Sequence, residues 1–316
     1  MLLEIQDLKV SYKSDGSLVE VVRGLDLGIE KGECCGLIGE SGCGKTTVGL
    51  CITRLIPGQK AAISGRILFE GQDILRLDKE GLRAIRGKRI SYVFQEPFSS
   101  LNPVFTIYEQ LRESLPEKTG HDEAISELLK SVGLAKIAGN KKIYPHELSG
   151  GMQQRAMIAM AIASRPDLLI LDEPTTALDV TVQNQILELI MELKNRLGLS
   201  ILFISHDLRI VFRLADRISV MYAGRVVEQG PRQEVISRPG HPYTKGLIDS
   251  IPSIEHRKQR FNAIEGRTPL FSNLPRGCKF HPRCRFRVDK CVKEEPTLAN
   301  LSSSHASRCI RIKEIK

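Results

Sequence analysis

Three stretches of the sequence hold residues whose types and spacing suit phosphate chemistry. The first, GESGCGKTT at 39–47, fits G-x-x-x-x-G-K-[ST] and lies between an apolar run, CCGLIG, and a helical pattern, TTVGLCITRLI. This context disfavours an ordinary glycine-rich turn. Glycines let backbone N–H groups converge on phosphate oxygens, Lys45 can reach the β- and γ-phosphates, and the Thr46 hydroxyl can bind Mg²⁺. The predicted nucleotide-binding residues of this loop are Gly39, Ser41, Gly42, Cys43, Gly44, Lys45, Thr46 and Thr47.

Cys43 has two interpretations within this loop. A thiol at a helix N-terminus tends to have a lowered pKa, which would let thiol reagents block nucleotide binding through Cys43. The favoured interpretation is a small residue that fills space in the loop.

The second stretch is LLILDEP at 168–174, an apolar run that ends in two carboxylates. Asp172 would hold Mg²⁺ through water, and Glu173 could polarise an attacking water as a general base. An apolar strand that ends in Asp-Glu is more often a solvated strand end. The phosphate-binding loop upstream makes the catalytic interpretation the better one.

A third stretch, LSGGMQQR at 148–155, supplies a second candidate anion site. Ser149, Gly150 and Gly151 precede the helical pattern RAMIAMAIAS, so their backbone groups would lie at a helix N-terminus. Here the sequence resembles the ATP-binding subunits of ABC transporters, whose signature is LSGGQ. Met152 replaces the glutamine, a departure that also occurs within that family.

The resemblance covers essentially the whole chain and implies roles for four further residues. Tyr12 resembles the aromatic residue that stacks on adenine, and Gln95 resembles the Q-loop glutamine, which is also a Mg²⁺ ligand. Asp179 resembles the D-loop aspartate, and His206 the switch histidine that contacts the γ-phosphate. Each of these residues also has an ordinary alternative role. Tyr12 could be a strand aromatic and Gln95 a surface amide, while Asp179 could cap a helix and His206 could be a histidine at a strand end. Their joint occurrence in the family's order favours the ABC ATPase.

Strand and helix patterns agree with the fold that this resemblance implies, an α/β P-loop (RecA-like) core with an antiparallel β subdomain and a helical subdomain. Short alternating strands over 1–30 predict the antiparallel layer, and strands that alternate with helices predict a mainly parallel sheet. The predicted domains are an ATPase domain at 1–230 with a helical insertion at about 98–150, a Pro-punctuated linker at 231–260, and a small irregular cysteine-rich domain at 261–316.

The resemblance also implies partners and a substrate class. VFQEPFSSLNPVFTI and RPGHPYTKGLIDSIP are similar to segments of the oligopeptide, dipeptide and nickel importer group, and the tail GCKFHPRCRFRVDKC is similar to that of its peptide-importing members. In this family two ATPase domains pair head to tail around ATP. The expected complex holds a second, non-identical ATPase, two permease subunits and an extracytoplasmic peptide-binding protein, although a homodimer could form in isolation. Import of nickel or another solute is the alternative.

Charge and hydropathy bear on the location of the chain. No window approaches the 18 apolar residues of a membrane span, and the start MLLEIQDLKVSY lacks the features of a signal peptide. We therefore expect a peripheral protein at the cytoplasmic face of the cell membrane.

Residues 251–316 hold 15 Lys/Arg against 6 Asp/Glu, a net charge of +9. This raises the alternative of a soluble ABC ATPase acting on nucleic acid, but such proteins usually carry two ATPase domains and C-x-x-C zinc modules, which the sequence lacks.

The tail contains four cysteines with the spacing C-x₅-C-x₆-C-x₁₇-C, namely Cys278, Cys284, Cys291 and Cys309. Four reduced thiols in a small domain suggest a bound metal. Zinc would usually bring a closer cysteine pair, whereas four thiolates can hold an iron–sulfur cube, and the family resemblance implies a [4Fe–4S] cluster here. Zinc, free thiols and a site in which His281 replaces a cysteine remain open alternatives.

Overall fold

The computed structural model describes residues 1–14, 17–95, 100–116, 121–176, 178–251 and 264–315. These residues form two compact units. The first unit contains residues 1–75 and 204–316, and the second contains residues 76–203. Residues 96–99 of the predicted Q-loop segment, Ala177 of the predicted D-loop and residues 252–260 of the predicted linker lie outside the described residues.

Twelve strands and ten α-helices are present among the described residues. The strands are β1 (Leu3–Ser14), β2 (Ser17–Ile29), β3 (Cys34–Ile38), β4 (Ala61–Phe69), β5 (Gln72–Asp73), β6 (Ile90–Val93), β7 (Leu168–Asp172), β8 (Ser200–Ser205), β9 (Arg217–Tyr222), β10 (Arg225–Pro231), β11 (Ala299–Asn300) and β12 (Ala306–Ser307). The helices are α1 (Lys45–Ile52), α2 (Lys79–Ile85), α3 (Ile107–Ser114), α4 (His121–Ser131), α5 (Gly150–Ile162), α6 (Val180–Leu197), α7 (Leu208–Leu214), α8 (Arg232–Ser237), α9 (Pro242–Asp249) and α10 (Asp289–Lys293).

The first unit contains the predicted antiparallel layer, a four-stranded sheet in the order β2-β1-β4-β5. Strand β1 pairs antiparallel with both β2 and β4. Its apolar side chains at Leu3, Ile5, Leu8 and Val10 are buried, so the sheet forms because it removes these side chains from water. The prediction of an antiparallel β subdomain is confirmed.

A second group of strands in the first unit positions the phosphate-binding loop. It runs in the order β11-β12-β10-β9-β3, with β3 parallel to β9 and β10 antiparallel to β9. Every residue of β3 is buried, as expected for a parallel strand covered on both faces. The β9–β10 hairpin turns at Ala223 and Gly224, which both have positive φ, as a two-residue hairpin turn requires.

The second unit contains the parallel pair β6 and β7, whose register aligns Ile90 with Leu168. Strand β7 is completely buried, which explains the uninterrupted apolar run that precedes its terminal carboxylate. Helix α5 packs against α3, α4 and α6. The fold is therefore the predicted α/β arrangement with parallel strands and a helical region.

The segment after β10 is more regular than the sequence suggested. The predicted linker holds two helices, α8 and α9, and the tail returns to the sheet of the first unit because β12 pairs antiparallel with β10. The limits at residues 230 and 260 remain predictions. Across the described part of the chain, every helix is too short or too polar to cross a lipid bilayer.

Candidate functional site

The phosphate-binding loop in the first unit joins β3 to α1 through a backbone that only glycines tolerate well. Gly42 and Gly44 have φ of 77° and 105°, in the left-handed region. A Cβ added at Gly39 would lie 2.2 Å from the carbonyl oxygen of Met221, so the close approach of β3 and β9 excludes a side chain there. At Gly42 a Cβ would meet no heavy atom within 4 Å, which leaves the loop open at this point.

Lys45 lies against this loop. Its side chain is 4% exposed, and its Nζ donates hydrogen bonds to the carbonyl oxygens of Gly39 at 2.8 Å and Glu40 at 3.0 Å. Thr46 is exposed in the first turn of α1, and Ser41 is exposed in the loop itself. A cation and a helix N-terminus beside an open glycine loop form an anion-binding site that fits the phosphates of a nucleotide.

Cys43 does not have the low pKa that its position at a helix N-terminus suggested. The side chain is fully buried, and this burial raises the pKa of the thiol although Lys45 acts in the opposite direction. Burial and a raised pKa agree with the favoured interpretation of Cys43 as a small residue that fills space in the loop, and they argue against the alternative of a reactive thiolate.

Two other predicted residues lie in the first unit. Tyr12 is half-buried on β1, where it pairs in register with Val19 and Ala61. His206 is exposed immediately after β8, and the following Asp207 begins α7 by accepting a hydrogen bond from the backbone N–H of Arg209 at 2.9 Å. The structure therefore leaves both side chains accessible, while their contacts with nucleotide remain predictions.

The second unit brings three predicted residues together at the end of β7. Asp172 is its last residue and is 2% exposed, and Glu173 follows with φ of 48°, an unusual conformation for a non-glycine residue. Gln95 Nε2 donates to Glu173 Oε2 at 3.2 Å, although the two residues are 78 positions apart. The structure therefore brings an amide and a carboxylate into contact at the end of β7, while their roles in hydrolysis remain predictions.

Tyr92 is a member of this group that the sequence did not reveal. Its hydroxyl donates a 2.8 Å hydrogen bond to Asp172 Oδ2. Burial, followed by the charge of Asp172, raises the pKa of Tyr92, so the phenol stays protonated and keeps this carboxylate oriented. The only sequence signal was indirect, since Tyr92 lies in a strand pattern that ends just before Gln95.

The signature segment and Asp179 begin two neighbouring helices. The Ser149 hydroxyl caps α5 by accepting from the backbone N–H of Met152 at 3.4 Å. The Asp179 carboxylate caps α6 by accepting two backbone N–H groups at 3.0 Å, as the ordinary interpretation of this residue proposed. A Cβ at Gly151 would lie 2.5 Å from Val182 Cγ1, so close packing of α5 on α6 explains that glycine.

The prediction of a [4Fe–4S] cluster in the tail is wrong, and so is the zinc alternative. Within the described ranges, no group of three or more His, Cys, Asp or Glu side chains is arranged to hold a metal ion. The four thiols line a cavity of about 10 Å³, which has room for about one water molecule. Burial raises the pKa of Cys278 to about 11 and that of Cys309 to about 12, which favours thiols over thiolates.

The chain has a phosphate-binding loop between a buried strand and a helix, and a second buried strand that leads into two adjacent carboxylates. These two features define the class of P-loop nucleoside triphosphatases. Two family models match the chain: ABC transporter over residues 22–176, and oligopeptide/dipeptide transporter, C-terminal region, over residues 227–291. A putative peptide import ATP-binding protein of Brucella ovis is 44% identical and aligns over 99% of this chain and 98% of its own length. The chain belongs to the ATP-binding proteins of ABC transporters.

Other relatives agree with this assignment. The dipeptide transport ATP-binding protein DppD of Bacillus subtilis is 42% identical over 98% of this chain and 94% of its own length. A dimeric ATP-binding cassette, MJ0796, solved with ADP and Pi, has a TM-score of 0.65 and 27% identity and covers 73% of this chain and 98% of its own. The fold of an ABC ATPase is therefore confirmed.

Proposed function

We propose that this chain is the ATP-hydrolysing subunit of a membrane importer for dipeptides or oligopeptides. Membership of the ABC transporter family and the match of its C-terminal region to oligopeptide and dipeptide transporters support this function. The proposed hydrolytic step is supported above all by the hydrogen bond between Gln95 and Glu173, which lies next to the buried Asp172.

The residues fit MgATP in defined roles. The backbone of residues 39–47 and the Lys45 ammonium bind the phosphates, with Tyr12 beside the adenine. Mg²⁺, when bound, neutralises developing charge on the phosphates, and Thr46, Gln95 and Asp172 would hold it. Glu173 accepts a proton from the attacking water.

The remaining predicted residues complete the site when two ATPase subunits pair. Ser149, Gly150, Gly151 and Asp179 of one subunit would meet the nucleotide bound to the loop of the other, and His206 would contact the γ-phosphate. The solved dimer of the similar cassette MJ0796 supports such pairing. ATP binding would then close the pair, and hydrolysis would release it.

A groove in the second unit is a candidate docking site for the membrane-spanning partner. It has a volume of about 910 Å³. Its lining combines the charged side chains of Arg86, Lys88 and Glu113 with apolar side chains that include Phe94, Leu101, Leu115, Met157 and Met160. Phe94 is 42% exposed, which is high for a large apolar side chain and typical of an interaction surface. We assign this groove to a cytoplasmic segment of a permease subunit, which would place the chain peripherally at the cytoplasmic face of the membrane.

The hydrolytic role is tested with Glu173→Gln in the full chain, with Glu188→Gln on the exposed side of α6 as the matched control. We expect Glu173→Gln to bind MgATP within about threefold of the wild type, while its turnover falls by about 10²- to 10⁴-fold, because general acid–base catalysis contributes that range. Titration calorimetry and phosphate release measure the two quantities. Near wild-type turnover of Glu173→Gln would remove the proposed role.

The docking proposal and the substrate are tested in the assembled transporter. Met160→Glu, at a half-buried position of the groove, should abolish peptide uptake into vesicles while the isolated subunit keeps its ATP hydrolysis, because a charge there opposes an apolar segment of the partner. Peptide, but not nickel, should stimulate hydrolysis by the intact transporter. Full uptake by Met160→Glu contradicts the docking site, and stimulation by nickel alone contradicts the substrate class.

A further inference from the structure

An acidic residue lies inside the phosphate-binding loop, where it would oppose an anionic ligand. Glu40 is the only acid in GESGCGKTT, and its backbone carbonyl accepts a hydrogen bond from Lys45 Nζ at 3.0 Å. Like charges raise the free energy of binding, so an uncompensated carboxylate here would weaken the attraction of the loop for phosphates. The structure must therefore offset this charge if the loop is to bind MgATP well.

The offsetting charge comes from the C-terminal tail. Arg283 forms a bidentate ion pair with Glu40, with Nη1 donating to Oε2 at 2.6 Å and Nη2 donating to Oε1 at 2.8 Å. Thr268 Oγ1 also donates to Glu40 Oε2 at 2.8 Å. The Arg283 side chain is only 6% exposed, and paired guanidinium–carboxylate forks of this kind are among the stronger ionic contacts in proteins.

The ionisation of Glu40 reflects these contacts. Burial by itself would raise the pKa of Glu40, but hydrogen bonds from Arg283 and Thr268, with the charges of Arg283 and Lys45, hold the pKa below its usual value. The charge of Lys45 acts on Glu40, so the carboxylate and the phosphate-binding lysine are electrostatically coupled.

Aromatic residues of the first unit hold Arg283 in place. Its guanidinium lies 5.9 Å from the ring centroids of both Tyr222 and Phe280. The hydroxyl of the buried Tyr243 accepts the backbone N–H of Glu40 at 2.8 Å, and the Tyr243 ring lies 5.4 Å from that of Phe280. The cluster of Tyr222, Tyr243 and Phe280 thus contacts both the backbone of the phosphate-binding loop and the arginine that pairs with Glu40.

We propose that Arg283 is a positioning residue for the phosphate-binding loop, and that through its pairing with Glu40 the C-terminal tail sets the affinity of the loop for MgATP. This inference rests on the proposed function, since it concerns binding at the same site. Arg283 acts through Glu40 and does not touch the nucleotide. The tail then has a role in nucleotide binding that requires no bound metal.

Charge-exchange variants of the full chain test this proposal, with MgATP affinity measured by titration calorimetry and folding checked by thermal unfolding. Arg283→Gln should raise the Kd about tenfold, a factor that corresponds to about 1.4 kcal/mol, because it leaves the Glu40 carboxylate unpaired. The double variant Glu40→Gln with Arg283→Gln should return the Kd to within about twofold of the wild type. The Kd of Arg283→Lys should lie between those of Arg283→Gln and the wild type, since lysine keeps the positive charge but cannot make the bidentate contact.

The matched control is Arg285→Gln, because Arg285 lies two residues further on, has a side chain 59% exposed and is 3.5 Å from the Asp249 carboxylate. It should leave the Kd unchanged. If Arg283→Gln does not fold, the MgATP affinity of the single variant Glu40→Gln tests the proposal. This variant should bind MgATP at least as tightly as the wild type. An unchanged Kd for folded Arg283→Gln, or a double variant that stays weak, overturns the proposal. Failure of the wild type to bind MgATP would instead contradict the proposed function.

Discussion

His241 makes the stability of the first unit depend on pH in a way that can be worked out from its surroundings. The side chain is 2% exposed and caps α9, with Nδ1 accepting the backbone N–H of Tyr243 at 3.1 Å. The ring centroid of Phe280 lies 5.7 Å away. Burial lowers the pKa of His241 from 6.5 to about 3, because the protonated ring cannot be solvated there and Nδ1 must remain an acceptor.

The sign of the effect follows from the two pKa values. Between pH 6.5 and about 3 the unfolded chain binds a proton at His241 and the folded chain does not. The contribution to stability is therefore fully present above pH 6.5 and decreases as the pH falls towards 3. At about 1.4 kcal/mol per pH unit, the loss on moving from pH 7.5 to pH 5.0 is about 2 kcal/mol.

The variant His241→Asn isolates this contribution. Asparagine can cap α9 with its side-chain oxygen but does not titrate, and the backbone N–H of His241, which donates to Glu228 Oε2 at 2.9 Å, is retained. Urea unfolding followed by circular dichroism at pH 7.5 and pH 5.0 gives the free energy of unfolding of each protein. Lost packing lowers the stability of the variant at both pH values, so the quantity compared is the change between them.

We expect the wild type to lose about 2 kcal/mol more than His241→Asn between the two pH values. Other groups titrate equally in both proteins and cancel in the comparison. Equal losses in the two proteins would refute the reasoning, because they would show that His241 is already protonated or already exposed in the folded state.

Two further predictions concern stability and the loop. Glu295→Ala should lower the free energy of unfolding by about 3 kcal/mol, because it leaves Arg23, 8% exposed and 2.8 Å from Glu295 Oε2, without its carboxylate partner. Thermal unfolding checks this, with the exposed Glu294→Ala as control, and equal losses in the two variants would contradict it. Gly39→Ala should abolish measurable MgATP binding in titration calorimetry, because its Cβ would lie 2.2 Å from a backbone oxygen that cannot move cheaply. Gly58→Ala, whose Cβ meets nothing within 4 Å, should bind normally, and normal binding by both would refute the argument.

The parts of the site that could be predicted from sequence are those encoded by short contiguous segments. The phosphate-binding loop combines a buried strand, glycines and a helix within a dozen residues, so Lys45 and Thr46 were identifiable from local spacing alone. Asp172 and Glu173 were identifiable for the same reason, as the end of an apolar strand. The role of Gln95 was predicted only from resemblance to a family, and its hydrogen bond to Glu173, 78 positions away, was not predicted.

Contacts between distant segments could not be predicted. Arg283 and Glu40 are 243 positions apart, and no local pattern identifies either as the partner of the other. For the tail cysteines the local pattern was misleading, because their number and spacing suggested a metal site that the structure does not contain among the described residues. Whether four thiols form a ligand set depends on the burial and directions of their side chains, which only the folded tail determines.

The pairing of β12 with β10 also bears on how the protein avoids association with itself. Strand β10 carries buried Val226 and Val227, and an open edge there would offer unpaired N–H and C=O groups to any extended chain. Two residues of β12, Ala306 and Ser307, cover part of that edge, and the two-residue strand β11 lies outside them. An outermost strand of two exposed residues is a poor template for strand addition. Strands β11 and β12 thus leave this side of the nucleotide-binding unit with a short outer edge, which disfavours edge-to-edge aggregation.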